Sequence, residues 1–434
     1  LLLLFLLVFS LQAAPSPHAD IHLELGPMLG HVGPTEARLW FKANGPAQAF
    51  IIVGETENLE QSKEFSAPKL LAETDFMAHV MVHNLKPGTR YFYNLILDGK
   101  PSFRPPLPSF VTAPRAGMSG HLRFVFGSCV GHFGFEAAPT WNDMVARTNF
   151  DLLLMLGDNH YADSTNPLRQ RSAYYMHRRV PAFQEIGRRT PVYGIWDDHD
   201  FARNDSDGTT KGKEVVLQTF KEFWPNPAFG ETNNPGVYFK FTRGDVDFFM
   251  LDGRYYRSPD RAHNDSRKTM LGAAQLAWLR RELAASTATV KFIASGGEWQ
   301  THSHLDSWAS FDHERREIWK FIGDNHMAGV ILLSGDRHFT AGYQVQKRFI
   351  EVTSGPLGSM NARVRVTPEM FTGHGAGKMY SLFDVDTSAA PPVISLEIYR
   401  VGHGLLEQRT FSWDEVNGRK SIKPITNLAA KTDS

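Results

Sequence analysis

The chain has 434 residues, 42% of them hydrophobic and 21% charged, a composition ordinary for a globular protein with room for two or three domains. Lysine plus arginine and aspartate plus glutamate number 46 each. Without a net positive field, a nucleic-acid polymer is excluded as the main partner, while a local basic pocket for a small anion stays open. A core of this size needs no disulfide staple, and the single cysteine, Cys129, can form none within the chain.

Residues 1–17 read LLLLFLLVFSLQAAPSP. The apolar run is shorter than the roughly 20 residues a membrane-spanning helix needs, and it ends in small residues before Pro15. This is the pattern of a signal peptide, truncated at its start because a leading Met and a basic segment are missing. It implies an exported protein, whether periplasmic, cell-surface or secreted, with no integral membrane span. A buried first strand or a lipid-facing anchor is the competing reading. Over residues 20–114, the runs ARLWF, AFIIV, AHVMVHNL and YFYNLIL alternate with the turn signals GHVGP, NGP, KPGT and LDGK. This predicts a small β-sandwich. The stretch from Leu85 to Tyr93 resembles the corner and following strand of fibronectin type III-like sandwiches. Ala116 to Gly120 is a looser linker.

From His121 to about residue 410 the pattern changes. RFVFGSC, DLLLMLGDNHY, PVYGIWDDHD, VDFFMLDGR, VKFIASGGE and GVILLSGDRH are each a continuous apolar run of strand length with polar residues straight after it. Such runs suit strands buried on both faces of an α/β sheet, whose sites lie at the carboxyl ends of the strands. Helices are predicted over Ala273–Leu283, Arg315–Ile322 and Tyr174–Ile186. Residues 411–434 form a tail, polar and loose from about Asp414.

The strand ends carry metal-ligand types. Cys129 follows the first run, Asp158 and Tyr161 the second, and Asp198, His199 and Asp200 the third, with Asn204 in the next turn. Asp336 and His338 follow the last. Thiolate, phenolate, imidazole and carboxylate all bind metals, and a carboxylate can bridge two cations about 3.5–4 Å apart that clamp a phosphoryl group. Each motif alone could be a plain turn; four in order at strand ends are hard to obtain from structural needs.

The order GSC, GDxxY, DDH[DE] and GDxH resembles the PhoD-like alkaline phosphatase D family, a branch of the calcineurin-like and purple acid phosphatase superfamily. LDGRYYR at 251–257 and DSWASFDHERRE at 306–317 are also similar to stretches of that family. The resemblance covers roughly residues 24–400. It implies an α/β metallophosphatase fold of two packed mixed β-sheets flanked by helices, preceded by the sandwich. It implies that Asp158 bridges two metals, that Tyr161, Cys129 and His338 hold the first, and that Asp198 and Asp336 hold the second. A phenolate beside a thiolate suits Fe3+, and the all-oxygen second site suits Ca2+, with Mg2+ or Zn2+ as substitutes. Asp198, Asp336 and Cys129 stand where the wider superfamily carries Asn, His and a carboxylate, which matches this branch. A further superfamily His has no clear counterpart among Glu298, His302 and His304, and Asn204 is a weaker ligand candidate.

The expected activity is hydrolysis of phosphate esters by a metal-bound hydroxide attacking in line, in a monomer. His199 is the candidate to protonate the leaving oxygen, with Asp200 orienting it. Arg254 and Arg257 are candidate substrate-binding residues for phosphate oxygens, with Arg203 and Arg337 behind them. The alternatives are a phosphodiesterase or phospholipase on the same scaffold, and a non-catalytic cell-surface binding protein.

Overall fold

The computed structural model describes residues 20–147 and 149–427; the signal-peptide segment lies outside them. Among the described residues no helix is long and apolar enough to cross a membrane.

The N-terminal strands form two antiparallel sheets. One holds Leu23–Val32, Glu36–Ala43 and Met77–His83, and the other is built on Ala49–Gly54 and Arg90–Leu97. Leu39, Phe41, Ile51, Val80, Tyr93 and Leu95 fill the space between them, as expected where alternate residues of each strand face inward. The corner read from the sequence is present. Tyr91 Oη accepts from Lys86 N at 2.9 Å, which ties the loop to the strand that follows it.

The six apolar runs are strands, divided three and three between two mixed sheets. His121–Gly127, Leu152–Leu156 and Val192–Ile195 run parallel in a six-stranded sheet, completed by antiparallel strands from Met379 to Phe411. Val246–Met250, Val290–Ala294 and Val330–Ser334 run parallel in a seven-stranded sheet. The sheets pack face to face through phenylalanines. The Phe124 ring of the first meets Phe248 and Phe292 of the second at 5.1 and 4.8 Å, in edge-to-face contacts. The helices Gly272–Ala285 and Asp312–Asp324 cover the far face of the second sheet through Leu279, Leu283, Ile318 and Ile322.

Two expectations change. The single helix expected over Tyr174–Ile186 is two helices, Pro167–Arg178 and Pro181–Arg189. Pro181 disfavours helical geometry at the residue before it, and Val180 is extended at ψ 118°. The loose tail is corrected as well, as far as residue 427. Trp413–Val416 is a short helix with a Ser412–Glu415 capping box, and Ile422 is buried with its N–H donating to Gln344 at 2.8 Å. The polar composition of this stretch hid a local cap.

The sandwich and the two-sheet unit share a core at Arg178. This side chain is fully buried, and its guanidinium lies over the rings of Trp40 from the sandwich and of Phe183 and Trp224 from the other unit, 4.5 Å from the last. Burial holds its pKa down at about 9. Replacing Trp224 by Ala should therefore lower unfolding free energy by about 3–5 kcal/mol in urea titration; a loss under about 1 kcal/mol would mean that this junction carries little of the stability.

A carboxyl group also lies inside the second sheet. Glu351, on Phe349–Thr353, accepts from Ser334 Oγ at 2.6 Å and Trp299 N at 2.8 Å. Burial, then the charge of Glu298, push it up to about 8 from an ordinary 4.5. The folded state thus keeps a proton that the unfolded chain has lost, so this group's stabilisation is full below about pH 4.5 and falls as pH rises towards 8. Glu351→Gln should flatten that part of the melting-temperature profile; an unchanged slope would contradict the shift.

Candidate metal centre

Four of the candidate ligands sit on sharp turns after their strands, while Asp198 opens the short helix Asp198–Phe201. Cys129, Asp158, Asp336 and His338 have φ of 61°, 50°, 68° and 54°. Left-handed backbone at a non-glycine residue costs on the order of 1–3 kcal/mol, and its clustering marks a site that the surroundings hold in place. Gly157 makes one of these turns possible. At its φ of 95° a Cβ would lie 2.5 Å from Asp197 Cβ.

The turns bring the residues together. Ligand atoms of Cys129, Asp158 and His338 lie within 4.8 Å of one another, as do those of Asp158, Asp198 and His199, and those of Asp197, Asp198 and Asp336. Tyr161 Oη is 2.9 Å from both Asp158 Oδ2 and His338 Nε2. Asp158 thus stands between a sulfur-, phenol- and imidazole-bearing side and a carboxylate side.

Without a cation these groups are electrostatically mismatched. Burial, then Asp198 and Cys129, push the Asp158 carboxyl far above its usual range. Burial and Asp336 raise the Cys129 thiol to about 12. Burial, with Asp158 and Cys129, raises the Tyr161 phenol. Asp336 is raised mainly by burial, against the pull of Arg337. Buried Asp158 Oδ1 and Asp197 Oδ2 have no hydrogen-bond partner among the described residues. Unpaired buried carboxylate oxygens aimed into a cluster of acids are what a bound cation would satisfy, so the donor set fits a two-metal centre.

Several expected roles change. Arg254 is fully buried; its Nε is 2.5 Å from Asp197 Oδ1, and its two terminal nitrogens grip Asp306 at 2.9 and 2.7 Å. Arg257 is also buried and pairs with Asp260 and Asp306. Both guanidiniums are buried and already engaged, Arg254 by Asp197 and Asp306 and Arg257 by Asp260, Asp306 and Met270 Sδ, which corrects the expectation that they bind substrate. Asp200 does not orient His199. Its carboxylate accepts from Asn159 N and Asp197 N at 2.9 and 3.0 Å, bracing two loops. Asp163 takes the orienting position, its Oδ1 2.6 Å from His199 Nδ1. Asn204 sits on the exposed turn after the motif, where Asp205 N rather than Asn204 reaches Asp198, at 2.7 Å. Of the residues offered at 296–304, His302 and His304 are exposed. Glu298 is buried, and its charge faces Arg337. Arg337 in turn holds Asp336 Oδ2 at 2.8 Å.

Asp197, Asp163, Asp205 and Asp306 belong to the neighbourhood but were not among the predicted site residues. Asp197 could have been found as the first acid of WDDHD. Asp163, in a turn-rich stretch, gave no spacing signal.

The model of a domain of unknown function matches residues 20–114. Alkaline phosphatase D of Bacillus subtilis (strain 168) is 25% identical over 354 residues, covering 69% of this chain and 59% of that protein. Purple acid phosphatase 23 of Arabidopsis thaliana is 21% identical over 300 residues, covering 64% and 60%. The chain therefore spans less than two thirds of either relative. Among solved structures, that of PhoD superposes with a TM-score of 0.70 at 17% identity, covering 92% of both chains. The purple acid phosphatase of yellow lupin (Lupinus luteus) seeds superposes at 0.65 and 14% identity, covering 93% of this chain and 77% of that one. These likenesses show a metallophosphatase fold. The PhoD-like phosphatase model matches residues 124–372, more than half of the chain, and the protein belongs to that family.

Proposed function

We propose that the chain is a metal-dependent phosphoester hydrolase. The observation that carries this is Asp158, a buried carboxylate with an unpaired oxygen, shared between two groupings of unlike donors. In this reading Cys129, Tyr161, His338 and Asp158 would hold Fe3+. Asp158, Asp198 and Asp336, with Asp197 beside them, would hold Ca2+, and Mg2+ or Zn2+ would be the substitutes. A phenol raised so far needs a strong Lewis acid to ionise, and an all-oxygen set suits a hard cation. When bound, the cations would draw charge off the phosphoryl oxygens and make water nucleophilic at neutral pH.

The chain's own groups then act around the phosphoryl position. His199 lies over the Tyr161 ring at 4.1 Å, with only 16% of its side chain exposed. With Nδ1 given to Asp163, Nε2 is the nitrogen that can hand a proton to the leaving oxygen. Arg337, tied to Asp336, keeps one positive side chain next to the carboxylates. The names of the relatives support phosphate esters as the substrate class. A binding protein without catalysis is disfavoured, since strained left-handed backbone at four candidate ligand positions, two of them buried, is more than structural turns require.

Asp158→Ala should abolish phosphate-ester hydrolysis, by a thousandfold or more in order of magnitude; an active, folded variant would sink the proposal. Asp163→Asn should lower kcat by about 10–100-fold on alkyl phosphates and by much less on p-nitrophenyl phosphate, whose leaving group needs no proton. Equal losses on both substrates would remove His199 as the acid.

A further inference from the structure

Three large exposed apolar side chains belong to two loops that reach this centre. Phe133, Phe135 and Met360 are 50%, 72% and 84% exposed. Single exposed apolar residues are ordinary, but a group of them at the edge of a site is not. The Phe133 and Phe135 rings stack 5.5 Å apart and 6° from parallel. His132, next to Phe133, packs its ring 4.9 Å from that of Tyr161. On the other side, His338 Nδ1 lies 2.8 Å from Met360 O. Since Tyr161 and His338 touch, two loops flank the thiol side of the cluster.

Those loops are fastened to each other. The N–H groups of Gly358 and Ser359 donate to Cys129 O at 3.0 and 3.1 Å. A Cβ on Gly358 would fall 2.0 Å from Val130 O, so this approach requires glycine. The backbone of the two loops that carry this apolar lip is therefore held together at Cys129. A ligand reaching the cluster past this lip would bring its ester group against it. A phosphate carrying a polar alcohol would leave the three side chains in water, whereas an alkyl or aryl group would cover them.

We propose that Phe133, Phe135 and Met360 form a subsite for the apolar alcohol group of a phosphate ester, so that alkyl and aryl esters are preferred over polar ones. This rests on the phosphoester-hydrolase reading.

The test compares ethyl and hexyl phosphate, both below micelle-forming concentration, by phosphate release. Binding of ethyl- and hexylphosphonate is followed by calorimetry. The wild type should favour the hexyl compound by roughly tenfold or more in kcat/KM and in affinity. In a Phe133→Ser, Phe135→Ser, Met360→Ser triple variant the ratio should fall to within about twofold; a ratio is insensitive to the amount of active protein. Equal treatment of the two chain lengths by the wild type, or a preference surviving in the triple variant, would overturn the subsite. Turnover independent of chain length, together with vesicle binding lost in the variant, would assign the lip to a lipid surface and overturn it too. If no ester is hydrolysed, the failure belongs to the catalytic reading, and phosphonate binding still decides on the lip.

Discussion

Asp158, Asp197, Asp198 and Asp336 converge in one buried place with a thiol and a phenol, and the local architecture is organised around the repulsion this creates. Removing carboxylates from water is expensive unless positive charge or hydrogen bonds replace the solvent. The chain supplies part of that compensation itself. Arg254 reaches Asp197 and Arg337 reaches Asp336, yet Asp158 remains without a side-chain cation among its partners in the described hydrogen bonds. The cluster is incomplete as a set of protein groups, and the incompleteness points to ions.

The two-sheet sandwich makes such a cluster possible. Parallel strands end on one side, so short turns from both sheets can deliver acids to the same place. The phenylalanine layer between the sheets fixes their spacing. Beneath the ligands, Arg254 ties Asp197 to Asp306, and Arg257 ties Asp306 to Asp260. These arginines act on the site at one remove, by holding the acids in position. The same reasoning applies to His199, whose partner Asp163 comes from the loop after Asp158 rather than from its own motif.

The elements most legible in the sequence were the most periodic. Continuous apolar runs ending in polar residues located six of the parallel strands, because burial on both faces favours an apolar composition, whereas Phe349–Thr353, parallel to Val330–Ser334, carries the buried Glu351 and stood outside that pattern. The positions of Cys129, Asp158, Tyr161, Asp198, Asp336 and His338 followed from those strand ends. What the sequence did not reveal depends on tertiary approach. Arg254 looks like a phosphate clamp in LDGRYYR until Asp306, 52 residues on, is seen to saturate it. Asp163 takes the orienting role expected of Asp200 because the direction of a side chain in a tight turn is not written in spacing. The break at Pro181 was readable, and the helical pattern on either side of it obscured it.

Elemental analysis of the purified protein decides whether this cluster holds two unlike cations. Iron and calcium together, at about one each per chain, are the predicted result. Zinc alone would contradict the metal assignment, and a metal-free protein that still hydrolysed phosphate esters would contradict the account as a whole.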